Sequence, residues 1–319
     1  MFPGATAYRK ESVTHEHTAG EVIRDDAAGE ATRDDALGDV TRDGVAQGDE
    51  THADTGANFV IVGAPLDAST TFQPGARFGP RRIRHVSETF DDYDGRTGLH
   101  FSALGVADAG DVHSWDDVAE YLEYLEGTLR DVVWDDAIPL ILGGEHTVSA
   151  AGVGAVEPDV FVCLDAHLDL REAYDGNPLN HACVTRRILD DRGVEEAIIL
   201  GARTGSEEEW ERAAAADVTV VPPEEVAEFD FGDRLDGREV YCSVDIDGAD
   251  PAYAPGTGTM EPFGLTPREM RDVVRTVAPH ATGFDVVEVN DRDDGQAAAL
   301  AGKLLREFVF SHVDGRDSR

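Results

Sequence analysis

From Asn58 onward, short apolar runs alternate with segments in which apolar residues recur every three or four positions. The runs Phe59–Gly63, Leu104–Ala107, Pro139–Leu142, Val160–Leu164, Ala197–Leu200, Val218–Val221, Val240–Val244 and Gly283–Val287 are almost continuously apolar. This predicts parallel strands buried on both faces, since a strand with one wet face would alternate instead. Trp115 to Trp134 sets Val118, Leu122, Leu125, Leu129 and Val132 on one helical stripe. Thr266-Pro267-Arg268-Glu269 reads as a capping box with proline at the first helical position, opening a helix toward Ala278. Strands and helices alternating in this way predict a single α/β domain over 58–319, a parallel sheet covered by helices on both faces.

The beginning of the chain reads differently. After an N-terminal segment, 1–16, residues 17–57 carry four similar acidic units, GEVIRDDAA, GEATRDDAL, GDVTRDGVAQ and GDETHADTG. They hold too few large apolar side chains to form a core and read as a disordered insertion. The paired glycines and regular apolar position of a calcium-binding repeat are missing from them. No run approaches the roughly 18 apolar residues of a membrane span, and Met1 to His15 has no apolar signal core. Cys163, Cys183 and Cys242 lack metal-type spacing. Cys163 and Cys242 lie inside apolar runs and read as reduced core residues, which places the chain in the cytoplasm.

Charge changes the picture of the surroundings. The chain has 27 Lys and Arg against 65 Asp and Glu, a net charge of −38, and its only lysines are Lys10 and Lys303. Such an excess repels itself in dilute salt and is screened within a few ångströms in concentrated salt, which points to a high-salt cytoplasm. Nucleic acid is excluded as a partner, because neutralising phosphates needs basic patches that are lacking.

The reactive residues follow the predicted strands. Gly143-Gly144-Glu145-His146 comes after Pro139–Leu142, and Asp165-Ala166-His167-Leu168-Asp169 after Val160–Leu164. Asp245-Ile246-Asp247 follows Val240–Val244, and Glu288 follows Gly283–Val287. In parallel α/β sheets chemistry gathers beyond the carboxyl ends of the strands. Residues two apart on extended chain share a face, so Asp165, His167 and Asp169 can converge, as can Asp245 and Asp247. Four carboxylates and two imidazoles meeting there would repel without divalent cations among them. The oxygen-rich set suits manganese, with zinc or cobalt as substitutes, and six ligands are enough for two ions.

These segments resemble the signatures of the ureohydrolase family of arginases, agmatinases and formiminoglutamases. GGEHT (143–147), DAHLD (165–169), SVDIDGADPAYAPGTGT (243–259) and DVVEVN (285–290) stand in the family's order, and the similarity covers roughly residues 58–310. The resemblance implies a three-layer α/β/α sandwich with an eight-stranded parallel sheet, assembled as homo-oligomeric trimers or hexamers. It implies two Mn²⁺ per subunit held by His146, Asp165, His167, Asp169, Asp245 and Asp247, with Asp165 and Asp245 bridging them. Glu145 replaces the family's usual aspartate, a change expected to touch the geometry around the ligands more than the ligands themselves. APLDASTTFQPGARFGPRRIR (64–84) and His181 in HACVTRR look like agmatinase segments, with Ala182 where glycine is usual. Arginases carry an asparagine after their Asp-Ala-His-x-Asp motif; here the stretch is Leu170-Arg171. Asp291-Arg292 also departs from the family, many members having proline after the residue matching Asn290.

The expected reaction is hydrolysis of a guanidino C–N bond, agmatine with water giving putrescine and urea. Asp169, His181 and Glu288 are the expected catalytic residues: Asp169 orients the nucleophile, Glu288 pairs with the guanidinium, and His181 carries a proton to the departing amine. Formiminoglutamate is a rival substrate if Arg171 or a neighbouring arginine reads its carboxylates, and guanidinobutyrate is another. A two-metal phosphoesterase would need basic residues beside the metals, and a non-catalytic paralogue would have lost a ligand or Glu288.

Overall fold

Nine parallel strands form the sheet among the described residues: β1 (Thr6–Ala7), β2 (Phe59–Ala64), β3 (Val106–Asp111), β4 (Ile138–Gly143), β5 (Val160–Leu164), β6 (Glu196–Leu200), β7 (Val218–Val221), β8 (Val240–Asp245) and β9 (Ala281–Val287). Their spatial order is β1-β3-β2-β4-β9-β8-β5-β6-β7. The computed structural model describes residues 1–8, 58–113 and 116–317. Met1–Arg9 and Thr55–Arg319 make up one compact unit. The acidic repeats at 17–57, and Trp115 at the predicted start of the first long helix, lie outside the described residues.

All eight runs expected from the apolar pattern are strands, and the sheet exceeds that expectation by one. The addition, β1, is two exposed residues beside β3, too short and too polar for an apolar run to announce. Phe2, just before it, is buried, and its N–H donates to Asp108. β3 also departs from expectation, starting at Val106 rather than Leu104 and running on through Asp108 and Asp111. Arg84 explains those polar positions, since it donates to both Asp108 oxygens at 2.9 Å and to Asp111. A paired carboxylate can occupy a strand site that an unpaired one could not.

Eight α-helices accompany the sheet among the described residues: α1 (Gly79–Ser87), α2 (Val118–Trp134), α3 (Ser149–Val156), α4 (Val184–Asp191), α5 (Glu207–Ala213), α6 (Pro223–Val226), α7 (Pro267–Val277) and α8 (Gln296–Asp317). α2 begins at Val118 because Asp117 caps it, accepting the Glu120 N–H. The capping box of α7 forms as expected between Thr266 and Glu269. Side-chain alternation divides the core. Phe59, Ile61, Leu140 and Leu142 pack with α1, α7 and α8, whereas Val60, Val62, Ile141 and Tyr241 pack with α2, α3 and α4. The result is three layers, α/β/α, with a sheet buried on both sides. Among the described residues, no helix is long and apolar enough to cross a membrane.

The sheet order brings the chemistry together. β8 and β9 insert between β4 and β5, so the four strands that end in reactive residues are consecutive neighbours, β4-β9-β8-β5. Their ends are level: Leu164 pairs with Val244, and Asp245 with Val287. Glu288 N donates to Gly144 O at 2.8 Å.

Candidate active site

His146 lies at the floor of the site, fully buried, and its Nδ1 faces three carboxylates. Asp169 Oδ2 is 2.9 Å away, Asp165 Oδ2 3.1 Å and Asp245 Oδ2 3.5 Å. His167 is partly exposed, with its Nδ1 3.1 Å from Asp247 Oδ2 and 3.6 Å from Asp165 Oδ1. Asp165 therefore turns one oxygen to each imidazole and belongs to both tight clusters among the described residues, with His146 and Cys163 on one side and with His167 and Asp247 on the other. All six expected ligands are brought together. Asp245 joins through His146, while its Oδ1 accepts the Asp247 N–H at 2.9 Å.

Four buried carboxylates face two imidazoles, and burial is costly for so much unbalanced charge. Burial and then Asp165 push Asp169 up to about 6. Burial, Asp247 and Asp165 raise Asp245 far above the carboxylate range. Burial works against protonating His167, but Asp247 and Asp165 override it and hold the imidazole up at about 12. The protein thus concentrates negative field and gathers protons where divalent cations can sit, and the oxygen-and-imidazole donor set fits such ions.

Beside this cluster, His181 and Glu288 form a second pair. His181 Nδ1 is 3.0 Å from Glu288 Oε1, which also accepts the His146 N–H at 2.9 Å. Glu288 Oε2 is buried and has no hydrogen-bond partner among the described residues. Gly258 lies beside it: a Cβ there would lie 3.7 Å from that oxygen and 3.0 Å from Gln73 O. Glu288 and Asp169 both hold left-handed backbone, φ 60° and 51°. That conformation costs a side-chain-bearing residue about 1 kcal/mol, and such residues concentrate at functional sites. Burial opposes charge on His181, yet the adjacent Glu288 raises it to about 9. Thr71 offers its Nε2 both an N–H at 3.2 Å and a hydroxyl at 3.1 Å, so the nitrogen has a partner with or without its proton.

Several contributors were not expected from the sequence. Ser243 Oγ, 3.2 Å from His146 Nε2, donates to Asp285 at 2.6 Å, and Tyr241 donates to the same carboxylate. Their signal was available, as polar residues inside otherwise apolar strands. Cys163, expected only as core, has its Sγ 3.7 Å from His146 Nε2. Arg203 donates to six carbonyls, those of Gly201, Asp247, Gly248, Ala249, Glu261 and Pro262. It fastens the turn that carries Asp247 to the loop at 261–262. Arg203→Met leaves those carbonyls without their donor and is expected to weaken divalent-cation binding about 10–100-fold, read by titration calorimetry. Arg203→Lys, lacking the planar fork, is expected to recover part of that loss. Unchanged affinity in the Met variant would count against this role.

Residues 57–311 match the arginase family. The chain belongs to the arginase family. It is 36% identical over 271 residues to an agmatinase of Bacillus cereus, covering 80% of this chain and 91% of the relative. It is 38% identical over 262 residues to an N(1)-aminopropylagmatine ureohydrolase of Thermococcus kodakarensis, covering 78% and 88%. The crystal structure of agmatine ureohydrolase of Thermoplasma volcanium superposes with a TM-score of 0.77 at 34% identity, covering 85% of this chain and 95% of that one. The chain is thus an agmatinase-like ureohydrolase, a hydrolase with the arginase-type sandwich.

Proposed function

We propose that this ureohydrolase is a binuclear manganese enzyme that hydrolyses agmatine to putrescine and urea. The observation that carries the reading is the buried Glu288 carboxylate, with one oxygen held by His146 N–H and His181 and the other, beside Gly258, without a hydrogen-bond partner among the described residues. A guanidinium supplies N–H donors and a positive charge, and one such N–H can meet the oxygen that has no donor. His146, Asp165, His167, Asp169, Asp245 and Asp247 would hold the ions. When bound, the ions supply Lewis acidity and bring the pKa of water from about 15.7 toward neutrality.

The protein side chains provide the rest. Glu288 fixes the guanidino carbon for attack, and Asp169 orients the attacking oxygen. As the bond from carbon to the alkyl-bearing nitrogen breaks, His181 gives its proton to that nitrogen, so the products are a primary amine and urea. Arg171, the residue that would read the carboxylates of formiminoglutamate, is held by Glu209 at 3.2 Å and stacked over Tyr174. Glu261, 4.0 Å from His167 Nε2, adds negative charge instead, which suits a substrate with a cationic far end.

The test is a panel in Mn²⁺ and multimolar salt: urea from agmatine, arginine and guanidinobutyrate, and formamide or ammonia from formiminoglutamate. Turnover is expected with agmatine, and activity on formiminoglutamate alone would overturn the substrate. The salt requirement belongs to the same proposal, which places the enzyme in a saline cytoplasm as a trimer or hexamer.

A further inference from the structure

Residues 66–75 run as a strap from the end of β2 to the turn before α1, and little of its backbone is paired within a regular ladder. Glu145, fully buried after Gly144 at the end of β4, supplies the missing acceptors. Its Oε2 accepts the N–H of Ala68 at 2.6 Å and of Ser69 at 2.7 Å. Its Oε1 accepts the Ser69 hydroxyl at 2.8 Å and the Thr147 hydroxyl at 3.0 Å. Four donors thus converge on one carboxylate. Gly144 allows the approach, since a Cβ there would come within 1.9 Å of Leu66 O.

The direction of these bonds has a consequence one residue further on. A carboxylate cannot donate, so Ser69 must give its proton to Glu145 and keep its lone pairs for another donor. That donor is the N–H of His181, at 2.9 Å. Ser69 O accepts the Asn180 side-chain amide at 2.8 Å, and Thr71, two residues along, meets His181 Nε2. Glu145 therefore holds the strap, and the strap holds His181 from both its backbone and its ring. None of the hydrogen bonds of Glu145 among the described residues goes to the six expected metal ligands.

From this geometry we infer that Glu145 is a positioning residue for His181, acting through Ser69 and Thr71 and not through the metal site. The inference rests on the proposed role of His181 as the proton donor. Misplacing a reacting group by about 1 Å costs on the order of 10²-fold in rate. Glu145→Ala is expected to lower kcat with agmatine about 100-fold with a smaller change in KM, because it removes the alignment of a proton donor rather than a substrate contact. Hydrogen exchange at the amides of Ala68, Ser69, Thr71 and His181 is expected to accelerate, while the number of bound Mn²⁺ per chain stays at the wild-type value.

Glu145→Gln separates alignment from charge. Its amide oxygen can still take both main-chain N–H groups, so strap protection and most of the rate are expected to return. Were charge near the metals the essential property, Gln would be as damaging as Ala, and the inference would fall. Loss of Mn²⁺ from Glu145→Ala with the strap amides still protected would also overturn it, as would unchanged exchange and kinetics. If Glu145→Ala does not fold, Ser69→Ala applies the same test from the strap side, with loss of protection at His181 expected and wild-type protection contradicting the inference. The exchange measurements stand even if no guanidino compound is turned over, so failure here is distinct from failure of the proposed reaction.

Discussion

Asp165→Ala is expected to abolish retention of the metal pair and to reduce turnover by about 10³-fold or more, a loss of several kcal/mol of charge stabilisation. Among the described residues, Asp165 is the one side chain whose two oxygens face both imidazoles, at 3.1 and 3.6 Å. On the proposed two-ion reading its removal would take a ligand from both positions, whereas removal of Asp247 would affect only the His167 side. Ion content after gel filtration, measured by plasma emission spectrometry, is expected to fall below two per chain. Chelation of the wild type is expected to do the same reversibly, with Mn²⁺ restoring activity. Melting temperature provides a second check, since an ion that binds only the folded chain stabilises it by mass action. The difference in Tm between metal-loaded and chelated protein is therefore expected to shrink in the variant. Full activity at an unchanged ion content in Asp165→Ala would refute a binuclear site built on this residue.

The second large effect concerns Glu288 and its coupling to His181. Glu288→Gln keeps the shape of the side chain and removes its charge, and kcat/KM is expected to fall about 10²–10³-fold, the usual cost of breaking a buried charge-assisted pair. The pH profile carries the more specific signature. His181 is raised to about 9 with Glu288 as the largest raising influence, so the acid form is present below that pH and disappears above it. Wild-type kcat/KM is expected to decline as pH rises past about 9, since a deprotonated imidazole has no proton for the departing amine. In Glu288→Gln the largest raising influence is lost while those of Asp169 and Glu145 remain, and this decline is expected at lower pH. His181→Asn is expected to lose about 10²–10⁴-fold in kcat and to abolish the decline. An alkaline limb unmoved in Glu288→Gln would show that the two groups do not titrate together.

These effects trace to residues that differed in how visibly the sequence announced them. The eight longer strands and the capping box of α7 were legible because burial on both faces demands continuous apolar runs and a helix start demands specific side chains. β1 was not, because two residues paired at a sheet edge need no apolar pattern. The polar half of β3 was not, because it depends on Arg84, more than twenty residues away. His146, Asp165, His167, Asp169, Asp245, Asp247, His181 and Glu288 were expected together from their places after strands and from their motifs, and they do lie together. Arg203 could not, because its partners are backbone carbonyls from three separate segments, and carbonyls leave no trace in residue identity.

Glu145 shows the boundary most clearly. As a residue it stood out only as a glutamate in an unexpected place. In the structure its carboxylate organises a strap about 75 positions away in the chain, at contacts that only folding creates.

By itself the sequence determined which side chains are available and that they leave the sheet at one edge, because parallel strands all end on the same side. Sheet order belonged to the tertiary structure. Strands of nearly equal apolar character can neighbour one another in many orders, and local pattern encodes burial, not partnership. Inserting β8 and β9 between β4 and β5 turned four separated motifs into adjacent ones, with Asp165 directed at two imidazoles and a buried oxygen of Glu288 without a partner among the described residues.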